Sequence, residues 1–146
     1  MGIEGLTITV VLALAAVGLH YEGMLLGGRI IGWLPLPARL RMGFFVLFML
    51  PTHLLEALLF AAGYQHMSAA GLGSISGSVS GFSDFFYFSL VCYTSLGFGD
   101  LVPEGGLRIV AGVEALLGLV MIAWTASYTY LMMRDGFRTR EVGGNT

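Results

Sequence analysis

Residues 94–100 read Thr94-Ser95-Leu96-Gly97-Phe98-Gly99-Asp100, and what flanks this stretch decides the fold. Before it, Phe82 to Thr94 is apolar and aromatic and opens on Ser83-Asp84, an N-cap and a first-turn acid. A helix of that length enters a bilayer without crossing it, because crossing takes about 20 residues. After it, beyond Pro103, Ile109 to Met133 is 25 residues long with Glu114 as its sole charge, which is enough to cross. Irregular backbone at membrane depth survives only where it is buried in protein or lines water, and there its carbonyls can replace the hydration shell of a cation. Pointing successive carbonyls one way requires positive φ at some residues, which Gly97 and Gly99 adopt without a Cβ penalty. Leu96 and Phe98 are then expected to face away from the axis and brace the strand. The short helix aims its C-terminus, with roughly half a negative elementary charge, at the membrane centre and favours a cation there.

The rest of the chain agrees with a membrane setting. Of 146 residues, 56% are hydrophobic and only 11% charged, and the mean hydropathy is +0.83, whereas soluble domains carry roughly a quarter charged residues. A net charge of -2 and a pI near 5.8 argue against a nucleic-acid partner. Cys92, the single cysteine, has no internal disulfide partner and reads as a small buried hydrophobe. Met42 to Tyr64 forms a second crossing segment that holds only His53 and Glu56 as strongly ionisable residues, with Pro51 expected to kink it. Gly5 to Tyr21, continued by Gly23 to Gly28, forms another. It is not expected to be a secretory signal, because Met1-Gly2-Ile3-Glu4 carries no positive side chain. Ser68 to Gly81 is rich in glycine and serine and reads as a flexible exposed loop. The expected divisions are 1–41 for the first span and a cytoplasmic linker, 42–133 for the central unit, and 134–146 for a short polar tail without a folded module.

Arginine placement sets the expected orientation. Arg29, Arg39 and Arg41 lie between the first two spans and Arg134, Arg138 and Arg140 follow the third, while Gln65 to Gly106 has neither lysine nor arginine. The loop and the short helix are therefore expected outside, with the N-terminus outside and the C-terminus cytoplasmic.

The stretch Thr94 to Asp100 resembles the potassium-channel signature T-T-V-G-Y-G-D, and the order of span, short helix, signature and span over Met42 to Met133 is similar to the pore domain of that family. The resemblance implies an all-α membrane protein: three transmembrane helices, a re-entrant pore helix and a selectivity-filter loop, assembled as a homotetramer in the lipid bilayer. It implies passive potassium conduction without enzymatic chemistry, and no cofactor beyond the permeant K+. The plasma membrane is the implied location, or the inner membrane in a bacterium. Thr94, Ser95, Leu96, Gly97, Phe98 and Gly99 would form the ion-binding filter, with K+ held at Ser95, Leu96, Gly97 and Phe98. Gly118 falls where the family's inner helix often has its hinge. Ser95 stands for a threonine, Leu96 for valine and Phe98 for tyrosine, and Val91 occupies a position where some members carry a buried glutamate. The alternatives are a weakly selective cation channel and a non-conducting subunit of a larger transport complex. An intramembrane metalloenzyme using His53, Glu56 and Glu114 is a third, although HExxH is absent.

Around the filter, Asp100 is expected to accept a hydrogen bond from Tyr87. Glu114 and Glu56, roughly 9 and 12 Å deep by helical rise, are expected beside it. Glu114 would take donors from Ser89, Tyr93 and Thr94 and support the filter from behind. Leu119, Ile122, Ala126 and Tyr130 follow Gly118 at helical spacing as the expected cavity stripe. His53 and Glu56, at i and i+3, read as a hydrogen-bonded pair holding spans together rather than as metal ligands. His20 and Glu22 receive no role, and the first span lacks the spaced arginines of a voltage sensor. The sequence does not identify a gating stimulus.

Overall fold

The computed structural model describes residues 2–143, and 77% of the chain is helical. Helix α1 spans Ile3–Trp33 and α2 spans Ala38–Ala69. Leu34-Pro35-Leu36-Pro37 separates them, because two prolines withhold amides and disfavour helix in the residues before them. Arg41 Nε closes this turn on the Leu34 carbonyl at 3.1 Å. Strand β1 (Gly73–Ser76), helix α3 (Phe82–Tyr93), strand β2 (Val102–Gly105) and helix α4 (Leu107–Gly143) complete the order. Three of these helices, Ile3–Trp33, Arg39–Ala69 and Leu107–Arg134, are long and apolar enough to cross a membrane.

Several expectations are revised. Ser68 to Gly81 is not wholly loop: α2 continues to Ala69, and β1 pairs antiparallel with β2 in the register Gly73 to Gly105 and Ser76 to Val102. Serine and glycine without periodicity hide a strand whose partner lies beyond α3. Ser83 is not the cap of α3. Gly81 occupies that position, and Asp84 in the first turn accepts from the Ser80 amide at 2.6 Å, the Ser80 hydroxyl at 3.0 Å and the Gly81 amide at 3.1 Å. Arg39 and Arg41 belong to the first turns of α2, and α4 runs on past Arg134 to Gly143. The side chains of Arg138 and Arg140 and the last three residues lie outside the described residues. Helix α2 is continuous through Pro51.

Two buried clusters hold the helices together. Leu12 and Ala16 of α1, Phe60 and Tyr64 of α2, Phe88 of α3 and Val110 of α4 pack beside the ribbon. Met24, Ile31, Phe45 and Met49 pack at the opposite end, with Tyr128 against them. In lipid such contacts act by close van der Waals fit rather than by release of water, so small residues at crossings matter. A Cβ on Gly63 would stand 2.4 Å from Leu12 Cδ1, and one on Gly118 would stand 2.0 Å from the Tyr93 carbonyl oxygen.

Candidate functional site

The 94–100 loop begins where α3 ends. The Ser95 amide donates to the Cys92 carbonyl at 2.9 Å and the Leu96 amide to that of Val91 at 3.0 Å, fastening the start of the loop to the helix. The backbone then alternates: φ is +57° at Ser95, +58° at Gly97 and +80° at Gly99, while Leu96 and Phe98 have no positive φ. Left-handed and ordinary dihedrals in strict alternation turn successive carbonyls toward one side, as cation coordination by backbone requires. The sequence points to two of these positions through glycine. Ser95 is the third and carries a Cβ in a region that costs roughly 1 to 2 kcal/mol per residue. Leu96 and Phe98 are 61% and 64% exposed, so nothing within one chain packs over them. Thr94, the residue before the alternation, turns its hydroxyl back to the Leu90 carbonyl at 2.7 Å.

Past Gly99 the loop is tied at a second place. The Tyr87 hydroxyl donates to the Asp100 carboxylate at 2.9 Å. That bond holds the exposed Tyr87 phenol above the ordinary tyrosine range. The amide and hydroxyl donors around Asp84 hold its carboxyl below the usual carboxylate range.

Glu114 lies fully buried against α3. Its carboxyl meets the Tyr64 hydroxyl on one oxygen and the Ser89 hydroxyl at 2.5 Å on the other, and Ser89 also lies 2.7 Å from the Ala57 carbonyl. Ser89 is among the expected donors. Tyr93 and Thr94 are not used, because Tyr93 binds Glu56 and Thr94 caps its own helix. Tyr64 is the partner that sequence reasoning missed. Its position on α2, on the same face as Ala57 one helical repeat of seven earlier, is the available signal.

Glu56 belongs to a different group. His20 of α1 places Nδ1 at 2.9 Å from one oxygen of Glu56, and the Tyr93 hydroxyl donates to the other. His53 lies 3.5 Å from that carboxylate but makes its shorter bonds to Tyr93 Oη at 2.7 Å and Thr125 Oγ1 at 3.2 Å. The expected pair of His53 and Glu56 is thus one edge of a cluster drawn from four helices. His20, His53 and Glu56 each place a donor atom within 4.8 Å of the others, the one such group among the described residues. Glu114 stands outside it, so the three residues considered for a metalloenzyme do not converge, and the donors that do converge are bonded to one another and to Tyr93. Glu22 is exposed on α1.

A groove of about 770 Å³ opens between α2 and α4 beneath the end of α3, and Ile122, Ala126 and Tyr130 of the expected stripe line it with Leu50, His53 and Thr94. Leu119 is exposed outside this groove. Helix α4 is unbroken at Gly118, where the missing side chain lets the end of α3 approach.

No curated protein and no solved structure matches the chain. A family model described as an ion channel matches residues 52–135, which is more than half of the chain and takes in most of α2, α3, the 94–100 loop and the spanning part of α4. That range, consistent with the potassium-channel pore domain, holds both the alternating backbone and the carboxyl groups behind it, and the chain belongs to the ion channel family.

Proposed function

We propose that the protein is a potassium-selective channel: four copies surround an axis, and the 94–100 loops supply rings of carbonyl oxygens at Ser95, Leu96, Gly97 and Phe98. The observation that carries this reading is the alternation of positive φ at Ser95, Gly97 and Gly99 directly after a 12-residue helix placed between two spans. One loop offers one quarter of a coordination shell, so symmetry must supply the rest. The exposure of Leu96 and Phe98 in the single chain supports the same assembly, because a neighbouring copy gives these side chains somewhere to pack. The Ser95 hydroxyl completes the innermost site, and the end of α3 lends its negative dipole. Ile122, Ala126 and Tyr130 face the aqueous cavity. Arginine placement sets the ribbon and Asp100 outside and α4's far end in the cytoplasm of a cell bounded by its plasma membrane.

Flux from liposomes that hold the purified protein tests this reading. Potassium and rubidium should pass, sodium should not, and barium should block. Sodium flux equal to potassium flux would instead favour a weakly selective cation pore, to which the serine at position 95 is the pointer. Absence of all flux would favour a non-conducting partner subunit.

A further inference from the structure

His20, Glu56, Tyr93, His53 and Thr125 close a ring. Going round it, His20 Nδ1 meets Glu56 Oε1 at 2.9 Å, Glu56 Oε2 meets Tyr93 Oη, and Tyr93 Oη meets His53 Nδ1 at 2.7 Å. His53 Nε2 then meets Thr125 Oγ1 at 3.2 Å, and Thr125 Oγ1 meets His20 Nε2 at 3.3 Å. Five links need five hydrogens. An ionised Glu56 offers none, and two neutral imidazoles, one phenol and one hydroxyl offer one each, which makes four.

We propose that these five residues form a binding site for a single proton, and that the ring which joins α1 to the end of the pore helix is complete only while that fifth proton is present. The count holds wherever the proton sits. With Glu56 ionised and Tyr93 donating to it, both imidazoles donate through Nδ1, and one of them must also donate through Nε2 to Thr125. With Glu56 protonated, donation runs once around the ring through Tyr93, His53, Thr125 and His20. Both arrangements leave the group uncharged overall. Losing the proton opens a link and strands a net negative charge among His20 and Glu56, which are fully buried. Adding a sixth leaves two hydrogens facing each other in one link.

Among the described residues, no further titratable side chain is hydrogen-bonded to the ring. On α1 the neighbours Tyr21 and Glu22 are exposed; α2 presents only His53 and Glu56; α3 presents Tyr93. On α4 the Trp124 ring stands 5.4 Å from His20 and does not titrate, and Glu114 is committed to Tyr64 and Ser89. Tyr93 is the last residue of α3, directly before Thr94. The proton therefore connects the helix outside the family match to the base of the loop, and its effect on conduction rests on the function proposed above.

Two substitutions remove the need for the proton in different ways. Glu56→Gln brings an amide that donates to Tyr93 and accepts from His20, so the ring closes with both imidazoles neutral. Thr125→Val deletes two links and leaves three, for which three hydrogens are present without any extra. The thermal stability of the purified protein in detergent is followed from about pH 7 to about pH 9, where free histidine is neutral and free glutamate ionised. Wild type should lose stability relative to Glu56→Gln as pH rises, approaching tenfold in the folding equilibrium per pH unit, the linkage slope for one proton. Thr125→Val, which spares the open link but keeps the buried charge, should lose stability less steeply than wild type. Should Glu56→Gln fail to fold, wild type against Thr125→Val gives the same contrast at smaller amplitude. Parallel profiles for wild type and the variant overturn the proposal. Potassium flux in wild type should change at the pH where the stability profile flattens and the folded protein gives up the proton, and Glu56→Gln should show no such change. If no flux is seen at any pH while the stability contrast holds, the channel reading fails and the proton site stands.

Discussion

The Tyr87 hydroxyl donates to Asp100 across 2.9 Å, joining the second turn of α3 to the residue that follows Gly99. The loop between them is thereby held at its far end, as the amides of Ser95 and Leu96 hold its near end. Tyr87→Phe should leave insertion and assembly intact and shorten open time during sustained activity. Because the bond raises the Tyr87 phenol, the tie is fully present below the ordinary tyrosine value near pH 10 and is lost as pH rises through the higher folded value. Difference absorbance of wild type against Tyr87→Phe should show the Tyr87 phenol ionising above that pH.

Gly99→Ala tests the alternating backbone. At φ +80° a Cβ is strained whatever the space around it, at roughly 1 to 2 kcal/mol per copy, a cost repeated in every copy of the proposed tetramer. Selective flux should vanish while the protein still inserts. Ser95→Gly should relieve the same strain at position 95 and lose only the hydroxyl, measured as a fall in potassium over sodium selectivity with conduction retained.

Glu114 offers a test by hydrogen count. Ser89 has one hydrogen and two acceptors within reach, the Ala57 carbonyl and Glu114. Glu114→Gln supplies an amide hydrogen for Ser89 and keeps an oxygen for Tyr64, so its stability should match wild type closely. Glu114→Ala takes the carboxylate acceptor from the buried Tyr64 hydroxyl, while Ser89 keeps the Ala57 carbonyl, and should cost about 1 to 3 kcal/mol for the one group that loses its partner. Comparing thermal midpoints of the two variants decides the matter.

Gly118→Ala separates packing from bending. The added Cβ would stand 2.0 Å from the Tyr93 carbonyl oxygen, a backbone atom that cannot swing aside, so overpacking of about 1 to 3 kcal/mol is expected. A hinge role alone predicts altered gating with unchanged thermal stability, which the same melting measurement would reveal.

Asp84 is expected to fail only in acid. Its carboxyl, held low by the Ser80 and Gly81 donors, should support the start of α3 fully above the unfolded value near pH 3.9. That support disappears as pH falls through the lower folded value. Asp84→Ala should remove it at all pH, seen as faster exchange of the Ser80 and Gly81 amides, which donate to that carboxylate, in the variant at neutral pH.

The spans, the short helix and the loop after it are legible because each rests on a local signal: apolar length for Ile109 to Met133, an aromatic dozen for α3, glycine at positions 97 and 99. The two-stranded ribbon is not, because Gly73–Ser76 has no strand pattern of its own and its partner lies beyond the whole pore-helix segment. Depth along the span put Ser89 among the donors for Glu114, together with Tyr93 and Thr94, but could not choose between them. His20 could not be placed with Glu56, because helical arithmetic gives a residue's height on one span and not which face of a second span it meets. Ser95 shows a related limit: its positive φ is imposed by the alternation on either side, and nothing in serine itself announces it.

The ribbon has a mechanical consequence. By pairing Gly73–Ser76 with Val102–Gly105, it clamps together the two points where the chain enters and leaves the segment that holds α3 and the 94–100 loop. A displacement of α2 relative to α4 at this end therefore has the antiparallel bonds to carry it from one span to the other, a route that runs outside the 94–100 loop.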